Sequence, residues 1–229
     1  VVSTWRVARL IAAKDLRIER RSRIVTNQVL PFAGVTMVIF AFALDVDTGV
    51  VQRVAPGLVW LATMFSLLIL VQRSFAVEAD DGALDAMRVA GVDARAIFLG
   101  KAIGLAAQLL VLEVLLLFAA IILYGETIRL EGVVLLVTTL LSATCGLAAV
   151  GTLYGGLAAG FKGRETLLPL LTLPAVAPVL IGATRAVESA LGTAGAAVSD
   201  GWQWVSLLTV FAVAFGVAGS LAFGPLIDE

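Results

Sequence analysis

The sequence predicts an all-α polytopic membrane protein: six transmembrane helices, an N-terminal amphipathic interfacial helix, and a short helix in the longest polar loop. Three observations carry that prediction. Hydrophobic residues make up 60% of the chain and charged residues 14%, where a soluble domain carries about 25% charge, and mean hydropathy is +1.03. Six apolar runs of membrane-crossing length recur along the chain. Lys and Arg fall almost wholly into alternate intervals between those runs.

Between Thr4 and Ile24 the segment TWRVARLIAAKDLRIERRSRI holds seven Lys/Arg and two acids. At about 100° per residue, Arg6, Arg9, Lys14, Arg17, Arg20 and Arg21 fall within an arc of about 140°, with Trp5, Val7, Ala8, Ile11, Ala12, Leu16 and Ile18 largely opposite. Segregation of that kind predicts a helix lying in the membrane interface; the plainer alternative is a basic tail. No cleavable signal peptide is expected from so basic and mixed a start.

About 20 residues cross the hydrocarbon core, and the first span is expected at residues 25–44, broken by Pro31 and Gly34. The second, residues 54–71, carries Pro56 at its start, where a proline removes no helical hydrogen bond. The third covers residues 102–123 and the fourth 133–159, where Gly151, Gly155 and Gly156 are candidate close-packing positions. Pro169, Pro174 and Pro178 in the fifth, residues 166–184, predict a kinked or discontinuous helix. Residues 185–201 are too short to span and read as a re-entrant or interfacial helix or a loop. The sixth span is residues 202–223, with Trp202 and Trp204 at the interfacial belt.

One side of this arrangement collects 13 Lys/Arg and the other only Arg53, Arg129 and Arg185. The positive-inside rule then places both termini in the cytoplasm, and the opposite face is acidic.

The chain has no histidine and one cysteine, Cys145. Histidine-ligated haem or zinc, histidine general bases and Ser-His-Asp triads are thereby excluded, as is an intrachain disulfide. No GxxxxGK[ST], HExxH or GxSxG motif occurs. The chain is expected to be a non-catalytic subunit that binds no cofactor by itself and takes its energy input from a partner. No nucleic-acid partner is expected. Glu113 sits about 18 Å along the third span from Lys101 at 1.5 Å per residue, where an ionisable group is a functional candidate by default. It could gate a pathway or bind a cation; the alternative is a packing role, with Gln108 as its partner.

Residues 72–101 form the longest charge-rich interval, and the sequence there is patterned. Asp80 or Asp81 can cap a helix through Ala83 to Ala90, Gly91 can stop it, and Asp93 can cap the third span. Leu84 and Met87 share a face and Asp85 can pair with Arg88. A capped helix with an apolar tip and acidic flanks suits docking in a groove of a soluble protein; a solvated connector is the alternative.

The run RVAPGLVWLATMFSLLILVQRSFAVEADDGALDAMRVAGVDARAIFLGK resembles the second-span and loop region of the CcmB proteins, the haem exporter protein B permeases of cytochrome c maturation. GTLYGGLAAGFKGRETLLPLLTLPAVAPVLIGATRA resembles their fourth-to-fifth spans, paired prolines included. Family members often carry a proline after the loop helix, where this chain has Ala90, Gly91 and Val92. The resemblance implies an ABC-type permease subunit in a bacterial cytoplasmic membrane, present as a homodimer. Its implied partners are the ATPase CcmA, the haem-handling CcmC, the small CcmD and the haem chaperone CcmE, with haem and ATP handled by the complex. It further implies that residues 78–90, with Glu78, Asp81, Leu84, Asp85, Met87 and Arg88, form the helix that couples to the ATPase, braced by the N-terminal helix. An exporter of another lipid or drug, or a membrane scaffold that transports nothing, would share the spans.

Overall fold

The computed structural model describes residues 3–44, 49–80, 82–125, 128–159 and 164–228, and among them there is no strand. In chain order the helices are α1 (Thr4–Ser22), α2 (Leu30–Ala43), α3 (Val50–Asp80), α4 (Ala83–Val89), α5 (Ala94–Tyr124), α6 (Val133–Ala159), α7 (Arg164–Leu191) and α8 (Val198–Asp228). Six segments are long and apolar enough to cross a membrane: Val25–Ala43, Val50–Ala76, Ala94–Tyr124, Leu130–Ala159, Thr166–Leu191 and Val198–Pro225. The expected all-α, six-span fold is the fold observed.

The chain turns from α1 into the first span at Arg23, whose backbone is left-handed at φ 50°. A π-helical turn, Val25–Val29, follows, and the Leu30 N–H reaches back to the Val25 carbonyl. Pro31 follows directly and has no N–H to give the Asn27 carbonyl, so the regular i→i+4 ladder is broken here.

α6 is the central post, packed against α5, α7, α8 and α3. Its glycines let the neighbours in. A Cβ at Gly151 would stand 2.9 Å from Leu67 and Val71, one at Gly155 would stand 2.5 Å from Phe75, and one at Gly156 would overlap Phe223. These three positions carry close helix approach, as small residues do in membrane bundles.

Three expectations are corrected. The second span does not end near residue 71, because α3 continues to Asp80. Its polar tail stays helical since Phe75 and Glu78 are both buried there, Phe75 against Gly155. α5 likewise begins at Ala94, eight residues before the expected 102, because Ile97 and Phe98 are core residues and Phe98 packs on Phe223 at 5.6 Å. The loop of residues 72–101 therefore shrinks to α4 and its flanking turns.

Pro56 is the second correction, since it lies inside α3 rather than at its start and removes the donor the Gln52 carbonyl would take. Third, residues 185–201 are neither re-entrant nor one loop. α7 runs on to Leu191, Gly192 turns the chain at φ 70°, and a 3-10 turn, Thr193–Gly195, leads into α8. α7 is uninterrupted although it contains Pro169, Pro174 and Pro178, and it packs against α6, α8 and α3.

Candidate functional site

Where α1, α3 and α5 meet, their side chains form a cluster of charge. Lys101 of α5 is 2% exposed and Glu78 of α3 is 3% exposed. The Lys101 ammonium lies 2.8 Å from Glu78 Oε2 and 3.6 Å from Asp15 Oδ2. It donates to Ser74 Oγ at 3.0 Å and stands 4.6 Å from the centre of the Phe75 ring. Glu78 Oε1 accepts from Lys14, which also pairs with Asp15 at 3.1 Å. Two ammonium groups and two carboxylates thus form a lattice of zero net charge. Zero charge matters because an uncompensated buried ion costs several kcal/mol, while a paired and hydrogen-bonded one is tolerated.

α1 reaches this lattice because α5 offers a flat face. A Cβ on Gly100 would stand 2.7 Å from both the Ala8 carbonyl oxygen and Ile11 Cβ, and one on Gly104 would stand 3.3 Å from Asp15 Cβ. Ala8, Ile11 and Ala12 are buried on that face, while Arg6, Arg9, Arg17, Arg20 and Arg21 are exposed. Lys14 leaves the basic face to enter the lattice. Burial alone would lower its pKa, but the hydrogen bond to Glu78 and the charges of Asp15 and Glu78 outweigh it, and the pKa rises above the ordinary 10.5. The segregated basic face is therefore real, but the opposite face packs on protein at its centre and leaves Trp5 and Ile18 exposed at its rims.

Glu78 was expected on the loop helix; it belongs instead to the last turns of α3, where it joins that helix to α1 and α5. The loop helix itself is α4. It opens after Gly82 at φ 61° and closes at Gly91 at φ 70°, where the Val92 N–H reaches the Met87 carbonyl at 3.0 Å in a Schellman arrangement. Asp93 caps α5, accepting from the Arg95 N–H at 2.9 Å, and its other oxygen accepts from Thr4 Oγ1 at 3.2 Å, tying the start of α1 to the start of α5. Met87 is half-buried against the bundle and Val89 is 91% exposed. Asp81 and the side chains of Asp80, Leu84, Asp85 and Arg88 lie outside the described residues.

Glu113 is fully buried. Thr144 Oγ1 of α6 stands 2.6 Å from Glu113 Oε2 and 2.6 Å from the Leu140 carbonyl oxygen. A hydroxyl has one proton, so both contacts become hydrogen bonds only when the carboxyl carries a proton of its own. Gln108 is not its partner: the amide donates to the Gly104 carbonyl of its own helix at 3.2 Å.

A profile described as CcmB protein matches residues 6–227. The chain belongs to the CcmB family. It is 29% identical over 213 residues to the heme exporter protein B of Paracoccus denitrificans (strain Pd 1222), covering 91% of this chain and 95% of that one. It is 28% identical over 217 residues to the heme exporter protein B of Pseudomonas aeruginosa, covering 93% and 95%. With the heme exporter protein B of Rhodobacter capsulatus it shares 29% over 175 residues, 76% of this chain and 78% of that one. The CcmB match takes in all four charged members of the lattice together with α4, so the joint lies inside the family domain.

Sequence reading missed Lys101, Asp15 and Ser74 as a site. The signal was present in GKAIG, residues 100–104, where a lysine stands between two glycines four apart at the start of an apolar run. Small residues at that spacing announce a docked helix, and the docked helix brings the counter-charge.

Proposed function

We propose that this chain is the transmembrane permease subunit of an ABC-type complex of cytochrome c maturation, working without catalytic chemistry of its own. ATP hydrolysis in a separate CcmA-like ATPase drives either haem export or release of a haem-loaded periplasmic CcmE-like chaperone. The name of its relatives, heme exporter protein B, supports haem as the cargo. The lack of histidine favours chaperone release, because no imidazole is present to ligate iron along a path through this chain. CcmC-like and CcmD-like membrane proteins and a second copy of this chain complete the complex. The arginine-rich end faces the cytoplasm of a bacterial cell, with both termini on that side.

The observation that carries the coupling is the position of α4. It is suspended between the ends of α3 and α5, and those ends are clamped to α1 through Glu78 and Lys101. A displacement of α4 by a docked ATPase would move three helices as one body.

The test uses Leu84→Asp and Val89→Asp in the intact complex. Both variants should insert at the normal level, fail to retain the ATPase on purification from membranes and lower the yield of c-type cytochrome. Retention of the ATPase and a normal cytochrome yield in both would remove α4 from the coupling route.

A further inference from the structure

Five arginines gather where α1 gives way to the first span. Arg17, Arg20, Arg21 and Arg23 occupy the last two turns and the cap of α1, directly before that span opens at Val25, and Arg73 lies in the last turn of the second span, which closes at Ala76. The two groups share one level, since Ile18, Glu19 and Ile24 border the same cleft as Leu70 and Arg73. All five are exposed, and none forms an ion pair among the described residues. We propose that they form a binding surface for the headgroups of anionic phospholipids in the leaflet around the bundle.

Depth favours lipid over a soluble partner. The beginning of one span and the end of another mark the layer where acyl chains meet phosphates. Ile18 is 38% exposed beside Arg17 and one turn from Arg21, and an apolar side chain set among cations suits that boundary. Topology requires these arginines on one side of the membrane, but it requires neither that they stay unpaired nor that they share a level. Acids close by are used elsewhere. Asp15 pairs with Lys14 and Lys101, and Glu19 Oε1 accepts from the Val25 N–H at 2.7 Å. The lysines thus take the internal carboxylates, and the guanidinium groups, whose planar forks match phosphate, are left facing outward.

Arg23 carries the argument furthest. Its φ of 50° makes it the one non-glycine residue with a left-handed backbone among the described residues; Gly49, Gly82, Gly91, Gly125, Gly192 and Gly195 hold the other such positions. A side chain there costs free energy that glycine avoids. The Arg23 N–H closes α1 on the Glu19 carbonyl, a bond that glycine would make equally well, so the turn itself has no need of the guanidinium.

The experiment needs neither the ATPase nor haem, so it fails or succeeds independently of the proposed function. The purified chain is exchanged into nanodiscs of phosphatidylglycerol and phosphatidylcholine in equal proportion, then extracted in mild detergent and its retained lipid counted by native mass spectrometry. Wild type should retain phosphatidylglycerol about tenfold over phosphatidylcholine, and Arg23→Gly should cut that preference about fivefold, the effect of one cation beside an anionic surface. Because the backbone there suits glycine, Arg23→Gly should keep or raise the melting temperature. Arg17→Gln, Arg20→Gln, Arg21→Gln and Arg73→Gln combined should abolish the preference, whereas Arg53→Gln with Arg185→Gln, at the start of α3 and toward the end of α7, should leave it intact. Equal retention of the two lipids, the result expected if the arginines serve topology alone or an acidic protein, would overturn the proposal. So would a preference that survives the fourfold variant, or one lost equally in the Arg53→Gln, Arg185→Gln protein.

Discussion

The Lys101 ammonium stands 2.8 Å from one oxygen of Glu78 while Lys14 takes the other, so three helices converge on a single buried carboxylate. Removing one member leaves a neighbour charged and unpaired. Lys101→Met should cost about 3–5 kcal/mol. Glu78→Gln should cost a similar amount, because the amide oxygen accepts from one lysine only, its NH2 meets the other ammonium donor to donor, and one positive charge is left uncompensated. The double variant leaves Lys14 and Asp15 as a neutral pair, already 3.1 Å apart, and should recover much of the loss. A double-mutant cycle on melting in detergent should give a coupling of about 0.5–3 kcal/mol. Strict additivity would show that the lattice does not act as a unit.

The docking of α1 depends on a missing side chain. Gly100→Val would drive a methyl group into the Ala8 carbonyl and Ile11, costing about 1–3 kcal/mol as overpacking. Gly34→Ala, where nothing lies within 4 Å, should be neutral or stabilising by about 0.5–1 kcal/mol. In a Cys145→Ser background, Ile11→Cys should resist a water-soluble thiol reagent, and adding Gly100→Val should open it. If Ile11→Cys reacts rapidly even with Gly100 intact, α1 is not seated on α5.

How much of this was legible in the chain follows from what hydropathy averages over. The number of spans and the Gly91 stop are local signals, and both are found in the structure. The ends of α3 and α5 were misplaced because Glu78 and Lys101 look like loop charges until each is seen to be the other's partner, 23 positions apart in the sequence. Lys14 was assigned to the basic face of the interfacial helix for the same reason. Gln108 and Glu113 looked like a pair by spacing, yet the Gly104 carbonyl is the nearer acceptor for the amide and Thr144 belongs to another helix. Long-range pairing of polar groups is the part that periodicity does not encode.

Alkaline pH should loosen α1 through Lys14. Its pKa is raised in the folded protein, so the protein binds that proton more tightly folded than unfolded. The resulting stabilisation is fully present below the ordinary 10.5 and is lost as pH climbs through the higher folded value. Arginine stays charged across that window. Melting followed from pH 9 to pH 11.5 should therefore fall more steeply for wild type than for Lys14→Arg. Parallel curves would mean that Lys14 contributes no pH-dependent stability.

Glu113 gives the sharpest separation between a packing role and a transport role. Glu113→Gln replaces the carboxyl proton with an amide that can donate to Thr144 Oγ1, leaving Thr144 free to serve the Leu140 carbonyl. Stability should stay within about 1 kcal/mol, since the same hydrogen bonds are made. Glu113→Ala opens a cavity in a fully buried site and should cost about 2–5 kcal/mol. Thr144→Val removes the interhelical bond alone and should cost about 1–2 kcal/mol, the range for such bonds between membrane helices. Activity of the complex should follow stability through this series, with Glu113→Gln near wild type. A Glu113→Gln protein that inserts and melts normally but has lost c-type cytochrome yield would show that the proton on Glu113 must come and go.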